Sequence, residues 1–315
     1  MSAAAAAIDI GTNSVLLLIA ARDPTTGDAR PLLERATITR LGEGVDQTRR
    51  LAPSAVERTL ACLRGYAADL RAHGVSRLAV VGTSALRDAA GGDTFLNEAQ
   101  RILGERPRVI AGDDEAALTF RGALSGLELG GELLVFDIGG GSTELIAGSA
   151  QDPAPASRVS LDIGSVRLFE RHVRTDPPTA SELSAIEVDV ARALSSAAPL
   201  VVARSQAQPT LVGVAGTVTT LKAVELGLEP YDGARVHGAV LTLSAVEELC
   251  TKLAALSLAA RRQLPGLEPK RADVIVAGAI IVRDLLRQAK AAEMVVSDRG
   301  VRFGLIEDLL AEVGS

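Results

Sequence analysis

At 315 residues, 47% of them hydrophobic and 23% charged, the chain is long enough for two domains and is composed like an ordinary globular protein. Its net charge of −6 argues against broad nucleic-acid binding, so a polyanionic ligand would need a local basic patch. No stretch approaches the roughly 18 uninterrupted apolar residues of a membrane span, and Met1 to Ala7 lacks the basic region of a signal peptide. Cys62 and Cys250 have no CxxC or histidine partner nearby, which reads as buried structural thiols and a reducing, cytoplasmic location. The alanine-rich, tryptophan-free composition with 2% aromatics points to a high-GC genome rather than to a function.

In chain order the first half reads β-β-β-α-β-α-β-α. Strands are expected at Ala4–Ile10, Val15–Ala21 and Leu32–Leu41, with a turn at Thr25 to Asp28. Pro53 opens a helix to about Ala72, where Val56, Leu60, Leu63, Ala67 and Leu70 recur at helical spacing and His73-Gly74 closes it. A short buried strand at Leu78–Gly82, a helix at Thr94–Leu103, a strand at Val109–Ala111 and a helix to Leu124 follow. The second half repeats the order from Glu132–Phe136, with helices at Ala180–Ala197, Thr219–Leu226, Ser244–Leu256, Asp273–Lys290 and Gly304–Ala311. Its later strands are Leu211–Val214 and Met294–Val296, and 151–156 and 174–179 read as loops. Strands alternating with helices make an α/β protein, and the recurrence makes it a duplicated one.

A short motif occurs twice. Asp9-Ile10-Gly11-Thr12-Asn13-Ser14 is answered 128 positions later by Asp137-Ile138-Gly139-Gly140-Gly141-Ser142-Thr143-Glu144, each between two apolar runs. That is strand, glycine turn, strand, with an acid ending the first strand. Glycine permits positive φ and close approach of the backbone to a ligand. Successive N–H groups with Ser/Thr hydroxyls beside them form an anion site. The aspartate repels phosphate, which suits it to hold a hard divalent cation through oxygen. Two such hairpins facing each other would grip a phosphate chain between two half-molecules. A third glycine turn, around Gly216-Thr217, follows a strand and opens a helix whose N-terminus adds N–H groups for an anion. No Gly-Lys-[Ser/Thr] follows, so it is not a Walker loop.

With these motifs stand Gly82-Thr83-Ser84-Ala85-Leu86-Arg87, Ile110-Ala111-Gly112-Asp113-Asp114-Glu115-Ala116 and Ser297-Asp298-Arg299-Gly300-Val301-Arg302. In this order the five stretches resemble the exopolyphosphatase / guanosine pentaphosphate phosphatase family in its short form, part of the actin, sugar-kinase and heat-shock ATPase superfamily. The resemblance implies two duplicated ribonuclease H-like domains with a cleft between them. The expected domains are 1–124, with a C-terminal helix at about 303–315 packing back on it, and 125–302.

Carried across position by position, the resemblance makes Glu115 the glutamate that activates water for attack on a terminal phosphate. Asp113 and Asp114 are the capping candidates of its helix, which leaves Glu115 free to point at the cleft. Arg87 matches an arginine that holds the substrate phosphate. Gly11, Thr12, Asn13, Ser14, Thr83, Gly139, Gly140, Gly141, Ser142, Thr143, Gly216 and Thr217 complete the expected phosphate-binding set. Asp9, Asp137 and Glu144 are candidate ligands of Mg²⁺ or Mn²⁺, in part through water. His237 reads as structural, and Lys222, Arg235, Arg261, Arg262, Lys270 and Arg271 as surface charges that would border a polyanion path. Many relatives have Arg-Glu-Gly where this chain has Arg302-Phe303-Gly304.

The expected activity is Mg²⁺-dependent hydrolysis of the terminal phosphate of linear inorganic polyphosphate. Guanosine pentaphosphate 5′-phosphatase activity, tied to the stringent response, is the alternative, since the same motifs serve both. A nucleotide-binding regulator without turnover is the rival from another class, and Glu115 speaks against it. Neither nucleic acid nor membrane is an expected partner, and a homodimer is compatible with the sequence.

Overall fold

The computed structural model describes residues 4–25, 29–152, 154–197 and 209–311. The chain divides into two compact units, Met1–Gly122 with Val301–Ser315, and Ala123–Gly300. Among the described residues no helix is long and apolar enough to cross a membrane.

In the first unit, strands β1 (Ala5–Ile10), β2 (Ser14–Arg22), β3 (Ala29–Ile38), β4 (Arg77–Gly82) and β5 (Arg108–Val109) form one sheet in the order β3-β2-β1-β4-β5. β1 to β3 are an antiparallel meander, and β4 and β5 add on in parallel. Both faces of β1 are covered, which is why it reads as a continuous apolar run. Ala4, Ala6, Ile8 and Ile10 pack with Leu63 and Tyr66 of helix α2 (Pro53–Ala72) and Phe95 of helix α4 (Asp93–Leu103). Ala5 and Ala7 face the other way, toward Leu118, Phe303 and Ile306. Period-2 alternation puts Asp9 on that second side. Two short helices, α1 (Val45–Thr48) and α3 (Ser84–Asp88), and α5 (Gly112–Leu124) complete the unit with the C-terminal helix Val301–Ala311.

The second unit holds β6 (Glu132–Ile138), β7 (Thr143–Ser149), β8 (Ser157–Leu161), β9 (Thr210–Val214), β10 (Val240–Thr242) and β11 (Glu293–Val296), ordered β10-β11-β9-β6-β7-β8. From its far edge, β8-β7-β6-β9-β11 repeats the first sheet, with β10 added antiparallel at the other edge. Its helices are α6 (Ser165–His172), α7 (Ala180–Ser196), α8 (Ala215–Glu225), α9 (Gly233–Val236), α10 (Leu243–Ala255), α11 (Leu258–Arg261) and α12 (Ile275–Gln288). The fold is the expected duplicated α/β arrangement.

Sequence pattern misses the elements with little apolar signal. β8 is an edge strand with alternately half-buried and exposed residues, and α6 carries charges along its length. Helix α8 begins at Ala215, four residues before the expected Thr219, and the C-terminal helix begins at Val301 rather than Gly304. Residues 26–28 of the expected turn lie outside the described residues. Cys250 is buried as expected, whereas Cys62 is only half-buried.

Gly304 sits inside the C-terminal helix because a Cβ there would stand 2.4 Å from the Leu118 carbonyl oxygen of α5. Gly304→Ala adds helix propensity worth about 1 kcal/mol, but a backbone atom cannot swing aside as a side chain does. The variant is expected to be destabilised by about 1–3 kcal/mol, read as a lower thermal midpoint. A midpoint at or above wild type would show that the two helices part without cost.

Candidate phosphate-binding site

The β1–β2 turn closes with the Gly11 N–H donating to the Ser14 carbonyl at 3.0 Å. Segment 39–42, just after β3, grips the turn from behind. The N–H groups of Thr39 and Arg40 donate to the Asn13 carbonyl (3.1 and 2.9 Å), and that of Gly42 to the Thr12 carbonyl (2.9 Å). A trans peptide carries its C=O and the following N–H on opposite sides. Drawing these two carbonyls toward 39–42 therefore turns the N–H groups of Asn13 and Ser14 the other way. A Cβ on Gly42 would fall 2.3 Å from Thr12 Cγ2, so only glycine fits there without displacement.

The β6–β7 turn repeats the device. The Gly139 N–H donates to the Ser142 carbonyl at 3.0 Å. The first turn of α6, after β8, supplies the grip: Ser165 N–H to the Gly139 carbonyl, Val166 and Arg167 N–H to that of Gly140, and Arg167 Nε to that of Gly141 at 2.6 Å. A Cβ on Gly164 would stand 2.4 Å from the Gly140 oxygen. The N–H groups of Gly140, Gly141 and Ser142 consequently face away from α6, as an anion site requires. Glycine at Gly11 and Gly139 would permit positive φ. Neither uses it, and their side of the turn is tight, with Cβ positions 3.1 Å from the Ser14 oxygen and 3.3 Å from the Ser142 oxygen.

Beside the first turn, Thr83 is buried, with Oγ1 4.0 Å from the Cβ position of Gly11. Arg87 of α3 donates from Nη1 to the Ile110 carbonyl (3.1 Å) and to Glu115 Oε2 (2.5 Å). By sequence alone, Asp113 and Asp114 would cap the Glu115 helix. They do not: α5 already starts at Gly112, and the Glu115 N–H donates to the Ala111 carbonyl at 3.0 Å. The ion pair with Arg87, not the absence of a capping role, fixes the Glu115 carboxylate. Burial pushes the Glu115 carboxyl up, opposed by the Arg87 charge.

Asp9 is a buried carboxyl of the first unit. Its Oδ1 is buried with no hydrogen-bond partner. Burial first, then repulsion from Glu115, pushes its pKa from 3.8 to about 7, with Arg302 pulling the other way. An orphaned carboxylate oxygen beside a second acid suits a bound cation. In the second unit Asp137 and Glu144 stand directly opposite on β6 and β7, and Glu144, buried, accepts from Ser160 Oγ at 2.8 Å. Among the described residues no group of three or more His, Cys, Asp or Glu gathers at one point. Asp9 in the first unit and the facing Asp137 and Glu144 in the second are the carboxylates that would hold Mg²⁺, a cation that keeps several waters.

Not every expected residue arrives at the turns. The Thr143 hydroxyl is fully buried and donates to the Ile163 carbonyl at 2.7 Å, so it does not flank the turn. Gly216 and Thr217 lie in the first turn of α8 rather than in a glycine turn, and the left-handed residue is Ala215, at φ 67°. The Arg271 guanidinium lies across Gly216, where a Cβ would be 1.9 Å from Nη1. Thr217 packs its methyl toward Gly278 of α12. Lys222 and Arg261, expected at the surface, are buried, bonded to Glu225 at 2.5 Å and to Asp176 at 3.1 Å. His237 Nδ1 accepts from the Asp298 N–H at 3.3 Å, and burial lowers its pKa. Phe303 is buried in the core, and Arg302 pairs with Glu34 at 2.7 Å. The grips at Gly42 and at Gly164 with Arg167 escaped the sequence reading. Their signal was available, since Leu41-Gly42 and Ile163-Gly164 both follow the third strand of their unit.

A carboxyl raised from 3.8 to about 7 binds its proton more tightly in the folded state. Its stabilising effect is complete below pH about 4 and is lost as pH rises through about 7. In EDTA, Asp9→Asn is therefore expected to be more stable than wild type at pH 8, by on the order of a few kcal/mol, with the gap closing toward pH 4. Thermal midpoints of both proteins across that range measure it. A variant no more stable than wild type at pH 8 would refute the buried-charge account of Asp9.

A model of the Ppx/GppA phosphatase family matches residues 18–313. Exopolyphosphatase 2 of Mycobacterium tuberculosis is 39% identical over 95% of this chain and 96% of its own length. A guanosine-5′-triphosphate,3′-diphosphate pyrophosphatase of Aeromonas salmonicida is 32% identical over 97% of this chain but only 59% of its own. The crystal structure of an exopolyphosphatase-like protein superposes with a TM-score of 0.89 at 33% identity, over 99% of both chains. Duplicated sheets, paired glycine turns and these likenesses converge: the chain belongs to the Ppx/GppA phosphatase family.

Proposed function

We propose that this protein hydrolyses the terminal phosphate of linear inorganic polyphosphate. The observation that carries the reading is the Glu115–Arg87 pair, set beside Thr83, the Gly11 turn and the orphaned oxygen of Asp9. A carboxylate whose pKa is raised by burial is a better base near neutral pH than an ordinary glutamate. Its partner guanidinium both orients it and offers further donors on the same fork to a phosphate. Glu115 orients and deprotonates the attacking water, while Arg87, Thr83 and the N–H groups of the first turn hold phosphate oxygens; the second turn offers its own N–H groups to phosphate. Asp9 in the first unit, and the facing Asp137 and Glu144 in the second, are the carboxylates that would hold Mg²⁺, whose contribution when bound is to neutralise phosphate charge. Phosphoryl transfer is accelerated mainly by positioning and charge stabilisation, so a small set of groups suffices.

Linear polyphosphate is preferred over guanosine pentaphosphate because the chain matches an exopolyphosphatase over nearly the whole of both lengths, and the nucleotide phosphatase over only part of that protein's. Phosphate release assayed side by side on long-chain polyphosphate and guanosine pentaphosphate tests the order. Faster turnover of the nucleotide would reverse it.

Glu115→Gln keeps the size of the side chain and loses the base, so turnover is expected to fall about 100- to 10,000-fold with substrate affinity nearly unchanged. Wild-type turnover in this variant would remove Glu115 from the mechanism. EDTA is expected to abolish phosphate release, and Mg²⁺ or Mn²⁺ to restore it. Full activity in the chelator would leave the three acids with a structural role only.

A further inference from the structure

The first turn of α6 spends its N-terminal donors on the glycine turn: Ser165 N–H and Oγ on Gly139, Val166 and Arg167 N–H on Gly140, Arg167 Nε on Gly141. The Arg167 side chain is buried, and Asp162 Oδ1, on a side chain 91% exposed, is 4.0 Å from its Nη2. Such a pair returns little for desolvating a guanidinium. The guanidinium reaches the peptide between Gly141 and Ser142, whose oxygen it holds at 2.6 Å.

We infer that Arg167 is a positioning residue of the second phosphate-binding turn. By holding the Gly141 carbonyl it orients the Ser142 N–H to the ligand side, and its charge polarises that peptide, making the N–H a stronger donor to an anion. Arg167 thus acts on phosphate through Ser142 and touches no substrate itself. The macrodipole of α6, positive at the same end, acts in the same sense on the peptides of Gly139 and Gly140. The inference rests on the reading of this turn as a phosphate site.

The test uses the full-length protein, measuring tripolyphosphate affinity by calorimetry in Mg²⁺, KM and kcat on long-chain polyphosphate, and the thermal midpoint. Arg167→Gln keeps a donor for the Gly141 carbonyl and removes the charge. Arg167→Met removes both. Tripolyphosphate Kd and KM are expected to rise about tenfold or more in Arg167→Met and less in Arg167→Gln, with kcat falling far less than affinity. Arg167→Lys restores most of the affinity. Val173→Ala, at the C-terminal end of α6 and in the same core, lowers the midpoint without changing Kd. A folded Arg167→Gln with wild-type tripolyphosphate affinity overturns the inference, as does a Val173→Ala that weakens binding equally. Wild-type protein that binds tripolyphosphate yet cleaves neither polyphosphate nor guanosine pentaphosphate overturns the proposed activity and leaves this test intact.

Discussion

The structure depends on the fixed opposition of C=O and N–H across a trans peptide. A glycine turn can present several N–H groups to an anion only if something occupies the carbonyls on its other side. In both units that work falls to the segment after the third strand: 39–42 behind Thr12 and Asn13, and 164–167 behind Gly139, Gly140 and Gly141. The glycines Gly42 and Gly164 are required by that grip, because any Cβ there would collide with the turn being held. Duplication of the sheet therefore duplicates more than a hairpin. It duplicates a supported hairpin, and the support lies some distance away in sequence.

Charge is distributed so that function and stability pull apart. Asp9 and Glu115 are acids in one small region of the first unit, and both are raised by burial. Arg87 relieves Glu115 directly, whereas Asp9 keeps a buried oxygen without a partner. Left alone, such an arrangement costs folding free energy above neutral pH. It is the pattern expected where a cation or a ligand completes the local charge balance, and where a more stable variant is a less useful one.

The sequence by itself determined the two α/β halves, because β1 and β6 are covered on both faces and so had to be uninterrupted apolar runs. It also determined both glycine turns and the local identity of Glu115 and Arg87, since each lies in a short contiguous motif. β8 and α6 were illegible for other reasons: an edge strand buries little, and an eight-residue helix with only three apolar residues is too short to read as a period. Only tertiary structure decided that Arg87 and Glu115, 28 residues apart, form an ion pair, and that α5 starts early enough to deny Asp113 and Asp114 a capping role. It alone withdrew the Thr143 hydroxyl from the turn and set Arg271 over Gly216. Short-range pattern encodes strands and turns because their hydrogen bonds and burial repeat along the chain. Which carbonyl a buried guanidinium holds, or which acid loses its partner, is settled by elements that meet only when the sheet has formed.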